Sequence, residues 1–223
     1  MAPNNKKYKS SSRQKSMNRV FLAIALIVIV IVAAGIAYAV FGNSAANQAS
    51  TTPTGNSEYS ATSTQVLFHT SAGDITIELR NDKPITTANF INIVKNGWYN
   101  GTTFYRTITG FMIQGGQISH PVSAINDEIG NDNHNVAYTI AMAKTSSPNS
   151  ATNEFFINAA DNSKIDYGNG VTFDNTYSVF GKVISGQNIV DTIANAAVTD
   201  NPTTGESSVP VHPVTLISAT IIS

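Results

Sequence analysis

Phe104-Tyr105-Arg106-Thr107-Ile108-Thr109-Gly110-Phe111-Met112-Ile113-Gln114-Gly115-Gly116 is the stretch on which the reading of this chain turns. Side chains alternate across a strand, so Phe104 and Arg106 share one face. Gly110 marks a bend, and beyond it Met112 and Gln114 share a face as well. A guanidinium beside Met, Phe and a carboxamide makes an apolar slot with a few fixed hydrogen-bond donors. The same residues also suit an ordinary strand whose Arg pairs with a surface acid. Pattern alone leaves both readings open.

The flanking sequence places this segment in a mainly β domain. Upstream, Val66–His69 and Asp74–Leu79 surround a Gly-containing turn. In the second run Ile75, Ile77 and Leu79 alternate with Thr76 and Glu78, which predicts a β-hairpin with one buried face. Pro84 opens a helical stretch in which Phe90, Ile93, Val94 and Gly97 fall at i, i+3, i+4 and i+7, with Gly97 as the stop. Strand-like runs cover Thr102–Ile108, Met112–Gln114, Val136–Ala143, Phe155–Asn158 and Ser178–Val183. A second short helix is predicted near Gln187–Asn195, with Ile189, Val190 and Ile193 inward, and Val211–Ile222 reads as a closing strand. Many short strands with two helices suggest a barrel or sandwich.

Charge divides the chain into parts. Of 223 residues, 42% are apolar and only 12% charged, about half the usual share. Residues 1–19 hold Lys6, Lys7, Lys9, Arg13, Lys15 and Arg19 and no acid. Residues 20–41 carry no charge. As a helix they would reach about 33 Å, enough for a hydrocarbon core of about 30 Å. Six preceding positive charges orient the span with its N-terminus in the cytoplasm. Ala37-Tyr38-Ala39 is a cleavage-like pattern, but the apolar run exceeds the roughly 7–15 residues of a signal peptide, so an uncleaved anchor is expected. Residues 42–64 are rich in Ser, Thr, Asn and Ala and read as a flexible linker. Residues 65–223 then form one domain held outside the membrane. Residues 42–223 carry seven Lys/Arg against fourteen Asp/Glu, which argues against a nucleic-acid surface.

Several chemistries have no carrier. With no Cys there is no disulfide, thiolate-zinc site or thiol nucleophile. G-x-S-x-G, H-E-x-x-H and the P-loop are absent. His69, His120, His134 and His212 lack ligand spacing. The loop Asn126–Asn135 is rich in Asp and Asn but lacks the full calcium-loop pattern and reads as a solvated loop. Asn100-Gly101-Thr102 is formally a glycosylation sequon and reads as a tight turn. No metal or cofactor is expected.

The segment Phe104–Gly116 resembles the signature of the cyclophilins, the cyclosporin-binding peptidyl-prolyl isomerases, with the pattern F-x-R-x-I-x-x-F-M-x-Q-G-G. The similarity extends upstream through Thr70–Leu79, Pro84, Thr87, Asn89-Phe90 and Gly97–Thr103. Downstream it takes in Asp127-Glu128, His134-Asn135, Ala141–Ala143, Pro148–Ser150, Phe155–Ile157 and Val179–Val183. It implies an eight-stranded antiparallel β-barrel capped by two α-helices, here behind a single N-terminal transmembrane helix. It also implies an isomerase of Xaa-Pro bonds that takes proline-containing polypeptides and needs no cofactor. Arg106 would be the catalytic donor to the prolyl nitrogen. Phe111, Met112 and Phe156 would wall the proline pocket, Gln114 would bond the substrate backbone, and Ala143 would offer main-chain groups. Tyr177 would stand at the pocket rim.

Two positions depart from the family pattern. Glu154 stands where Gln is usual, and it could either orient Arg106 or hold it away from substrate. Lys164 falls where many members have Trp or Phe, with Ile165 at the neighbouring apolar pocket position. An insertion through Val171-Thr172-Phe173 allows Phe173 to substitute. Loss of the aromatic residue implies an active isomerase that binds cyclosporin weakly. The competing reading is a catalytically weak proline-binding or chaperone module.

Overall fold

The structure, a computed structural model, describes residues 63–223. The expected basic terminus, transmembrane helix and nearly all of the linker lie outside these residues. Among the described residues no helix is long and apolar enough to cross a membrane.

The domain is mainly β: a curled antiparallel half-barrel with two helices. The predicted hairpin is present as β1 (Gln65–Thr70) against β2 (Gly73–Leu79). Val66, Phe68, Ile75 and Ile77 are fully buried, as alternation around the turn requires. Further strands are β3 (Thr102–Thr103), β4 (Arg106–Ile108), β5 (Met112–Gly115), β6 (Thr139–Met142) and β7 (Phe155–Asn158). After them come β8 (Asp166–Gly168), β9 (Val171–Thr172), β10 (Val179–Ser185), β11 (Val198–Asp200), β12 (Ser207–Pro210) and β13 (Thr215–Ile221). The main sheet runs β3-β13-β1-β2-β10-β6-β7-β5-β4, while β8-β9 and β11-β12 form separate ribbons.

The main sheet thus has nine segments where eight strands were expected. The extra one arises within Thr102–Ile108, which breaks at Phe104-Tyr105. The Phe104 N–H donates to Val214 O on one sheet edge (3.0 Å), and the Tyr105 N–H donates to Gln114 O on the other (3.1 Å). One bent strand therefore joins both ends of the sheet through the chain rather than through a ladder. Counted as one, β3 and β4 restore eight. Val136–Tyr138 also leaves its expected strand, because Tyr138 has a positive φ of 67° and the Thr139 N–H closes a turn on Val136 O.

The helices follow their local signals. Helix α1 (Pro84–Lys95) has Pro at its first position, where a missing N–H is harmless. The Glu128 carboxylate accepts from the N–H groups of Ile85 (3.1 Å) and Thr86 (2.7 Å), which places negative charge at the positive end of the helix. Phe90, Ile93 and Val94 face the core. Helix α2 (Gln187–Ala194) buries Val190 and Ile193. The loop Asn126–Asn135 is more tied down than a solvated loop. Besides Glu128, Asp127 accepts from Lys144 at 2.5 Å, and Asp132 pairs with Arg80.

Strand register separates core from site. Thr107, Ile113, Ile157 and Ile140 stand opposite one another across β4, β5, β7 and β6. All four are fully buried. One residue along, Arg106, Gln114, Phe156, Ala141 and Val179 form a parallel row on the opposite face. The outer row is the floor of the candidate site.

Candidate active site

Above this floor lies a cavity of about 170 Å³ lined by fourteen residues, Arg106, Phe111, Met112, Gln114, Ala143, Glu154, Phe156, Phe173 and Tyr177 among them. An apolar cavity of about 150 Å³ accepts a benzene-sized ring, so a proline ring fits. One side is aromatic. Phe173 packs on Phe111 (5.5 Å), Phe156 (5.6 Å) and Tyr177 (4.7 Å) between ring centroids. The other side is polar and centred on Arg106.

Arg106 is held by a residue one hundred positions away. Its Nε donates to Glu206 Oε2 (2.7 Å) and its Nη2 to Glu206 Oε1 (2.8 Å), a two-pronged pair with a buried residue. Nη1 donates to Gln114 Oε1 (3.2 Å) and lies 3.9 Å from Met112 Sδ. A guanidinium has five N–H bonds. Glu206 and Gln114 take three; of the other two, the one on Nη1 has only the weak Met112 Sδ acceptor, and the one on Nη2 has no partner among the described residues.

Glu154 does not bond Arg106, and Gln114 stands between them. The Gln114 Nε2 donates to Glu154 Oε2 (2.9 Å) and to the Tyr105 hydroxyl (2.5 Å), and that hydroxyl donates to Glu154 Oε2 (2.6 Å). A carboxylate only accepts and a guanidinium only donates, so the Gln114 amide has one orientation that satisfies both. Its nitrogen points at Glu154 and its oxygen at Arg106. Burial, followed by the Glu154 charge, pushes the Tyr105 hydroxyl well above its ordinary range and keeps it a donor.

Eight of the nine residues expected from sequence line the cavity: Arg106, Phe111, Met112, Gln114, Ala143, Glu154, Phe156 and Tyr177. Ile165 does not. It packs half-buried behind Phe173, whose N–H donates to the Ile165 carbonyl at 2.9 Å. The aromatic residue takes the place because the β8-β9 ribbon folds Phe173 back over Phe156. The same ribbon brings Tyr167 to the rim, 6.3 Å from Phe173. The Ala143 N–H is committed to Glu154 O (2.9 Å), which leaves its carbonyl as the group it can offer.

Sequence reasoning missed Tyr167, Glu206 and the buried asparagines beneath the pocket. Asn133 Nδ2 donates to Tyr177 O (2.8 Å), Asn135 Nδ2 to Phe173 O (3.4 Å) and Asn162 Nδ2 to Phe111 O (2.8 Å). Asn158 links Asn135 to Asn162. Buried amides thereby fix the backbone of three aromatic wall residues. The only sequence signal was the density of Asn in these segments.

The slot can take a proline-sized ring against its aromatic side, with the Arg106 guanidinium as a charged hydrogen-bond donor on the other. Comparison with known proteins agrees. Residues 65–221 match the family model described as cyclophilin type peptidyl-prolyl cis-trans isomerase/CLD. A peptidyl-prolyl cis-trans isomerase of Acinetobacter baylyi is 44% identical over 175 residues, covering 75% of this chain and 90% of the relative. Peptidyl-prolyl cis-trans isomerase A of Dickeya dadantii is 42% identical over 168 residues, covering 72% and 86%. A crystal structure of a Cryptosporidium parvum cyclophilin in the presence of the dipeptide Ala-Pro is 25% identical with a TM-score of 0.59, covering 71% of this chain and 99% of that one. The chain belongs to the cyclophilin-type peptidyl-prolyl cis-trans isomerases, and it is such an enzyme.

Proposed function

We propose that this isomerase serves exported or envelope proteins, acting outside the membrane from a tether formed by residues 20–41 and 42–64. The charge-free span behind six cations supports the anchor. Rotation about an Xaa-Pro bond faces a barrier of about 18–20 kcal/mol from amide resonance. Uncatalysed exchange takes tens to hundreds of seconds. A donor aimed at the prolyl nitrogen occupies the lone pair that would otherwise feed the carbonyl, which favours the twisted state over either planar one. Arg106 is that donor.

The observation that carries this role is the pair of Arg106 N–H bonds that Glu206 and Gln114 leave without a strong acceptor, one of them facing only Met112 Sδ. Phe111, Met112, Phe156, Phe173 and Tyr177 hold the proline ring. Gln114 spends both amide hydrogens on Glu154 and Tyr105, so it meets substrate as an acceptor for a backbone N–H. The Ala143 carbonyl receives another. Cyclosporin binds weakly, because Lys164 stands at the usual aromatic position and Phe173 serves the proline slot instead.

The test is exchange in an Xaa-Pro peptide with the purified full chain. Arg106→Lys keeps the charge and loses the fork, and is expected to slow turnover about 100-fold. Peptide binding without acceleration by the wild type refutes catalysis in favour of a proline-binding module. A submicromolar cyclosporin inhibition constant refutes weak drug binding. Because the chain has no Cys, single-cysteine labelling in intact cells reads topology directly. An impermeant maleimide is expected to label Ser57→Cys and to spare Ser10→Cys, and the reverse pattern refutes the orientation.

A further inference from the structure

The Arg106 side chain projects from β4 into a setting that offers little to hold it. Met112 Sδ, at 3.9 Å, is a weak acceptor. Gln114 Oε1 gives a single bond at 3.2 Å. A guanidinium held at one point pivots about it, whereas two parallel bonds fix both its position and its plane. Glu206 supplies those two bonds, at 2.7 and 2.8 Å.

The loop before β12 is built to present that carboxylate. Its carbonyl accepts the Asn201 N–H at 2.7 Å, and the Gly205 N–H returns to Asn201 O at 2.8 Å. The Asn201 side chain accepts the Thr203 N–H at 2.9 Å. Below it, the β11-β12 ladder pairs Thr199 with Val209 and Val198 with Pro210. Glu206 therefore sits on a braced turn rather than on a free loop, and its side chain is 9% exposed against 18% for Arg106.

We propose that Glu206 is a positioning residue of the isomerase site: its grip on Nε and Nη2 sets the guanidinium plane so that the two N–H bonds left without a strong acceptor face the proline slot. The inference rests on Arg106 being the donor. Glu206 touches no substrate and works through Arg106. It also neutralises the guanidinium, so an uncharged peptide enters beside a balanced pair rather than a bare cation. Of the two carboxylates near the slot, Glu206 controls the donor directly, while Glu154 reaches it only through the Gln114 amide.

The test uses Glu206→Gln in the full chain. An amide there accepts from Nε and turns its own NH₂ toward Nη2, so one prong is lost with almost no change in shape. A donor displaced by about 1 Å can lose 100-fold in rate, and loss of one prong of two is expected to lower kcat about 5- to 30-fold with KM unchanged within about twofold. In the Arg106→Lys background the same substitution is expected to change kcat less than about twofold, because the fork it served is gone. The Arg106 Nε–H signal, protected from solvent exchange in the wild type, is expected to exchange rapidly in Glu206→Gln. Unchanged kcat in Glu206→Gln overturns the proposal, as does an equal loss in both backgrounds. If Arg106→Lys itself retains full activity, it is the assignment of the donor that fails, which this design separates from failure of Glu206.

Discussion

Phe173 gives the sharpest test of how the pocket is built, because the sequence reading placed Ile165 at the pocket and offered Phe173 only as a substitute for the aromatic residue missing at Lys164. Phe173 is 3% exposed, and its ring meets those of Phe111, Phe156, Tyr167 and Tyr177. Phe173→Ala removes a buried ring, a change worth about 3–5 kcal/mol in well-packed cores. The site is at a rim where water and the β8-β9 ribbon can fill the gap, which puts the loss near 3 kcal/mol. In a domain of this size each kcal/mol moves the melting point about 2–4 °C, so a fall of about 6–12 °C is expected. Ile165→Ala, half-buried and behind the wall, is expected to lose about 1–2 kcal/mol. The decisive measurement is KM for an Xaa-Pro peptide below the melting range of both variants. Phe173→Ala is expected to raise KM at least tenfold, since the slot loses its aromatic side, while Ile165→Ala changes it less than about threefold; about 1.4 kcal/mol of binding corresponds to tenfold. A normal KM in Phe173→Ala beside a raised one in Ile165→Ala would refute the pocket described here and restore the alignment-based reading.

The remaining predictions concern charge. Arg106→Ala strands Glu206, 8% exposed, as an unpaired buried carboxylate, and is expected to lose about 3–5 kcal/mol of stability. Arg106→Ala with Glu206→Gln is expected to recover at least half of that in urea unfolding, and a double variant no more stable than the single one counts against a buried pair. Tyr105→Phe takes from Glu154 one of its two side-chain donors. It is expected to lose about 1.5–3 kcal/mol by the same measurement, and an unchanged midpoint refutes the network. Asp82 is lowered to about 2 by its hydrogen bonds from Arg80, against an ordinary 3.8. A depressed carboxylate stabilises the fold above its unfolded value and loses that contribution as pH falls toward 2. With its side chain 53% exposed the gain stays below about 1 kcal/mol. Asp82→Asn is therefore expected to be slightly less stable than wild type near neutrality and equal to it near pH 2, and a gap that persists in acid refutes the pairing.

What the sequence made legible was whatever the chain states locally. Alternation in Ile75, Ile77 and Leu79 fixes a buried face because one residue of slip would expose all three. The Phe90, Ile93, Val94 spacing likewise needs no distant partner to be read. The break at Phe104-Tyr105 was invisible, because uninterrupted alternation puts Phe104 and Arg106 on one face, whereas in the structure Phe104 joins the core and Arg106 lines the cavity. What changes there is the identity of the neighbouring strand, Val214 on one side and Gln114 on the other. Glu206 was hidden for a similar reason. It is one acid in a polar turn of Thr, Gly and Ser, and nothing within ten residues marks its partner. A physical rule does point toward it. An Arg placed among Phe, Met and Gln cannot be buried alone, so some carboxylate has to meet it. Glu154, just before Phe155-Phe156, was the obvious candidate. The structure sends Glu154 to Tyr105 and Gln114 and brings Glu206 across one hundred residues instead. Demand for a counter-charge is therefore a property of the sequence, while the choice between two acids that could meet it is made by the path of the β11-β12 ribbon past β4.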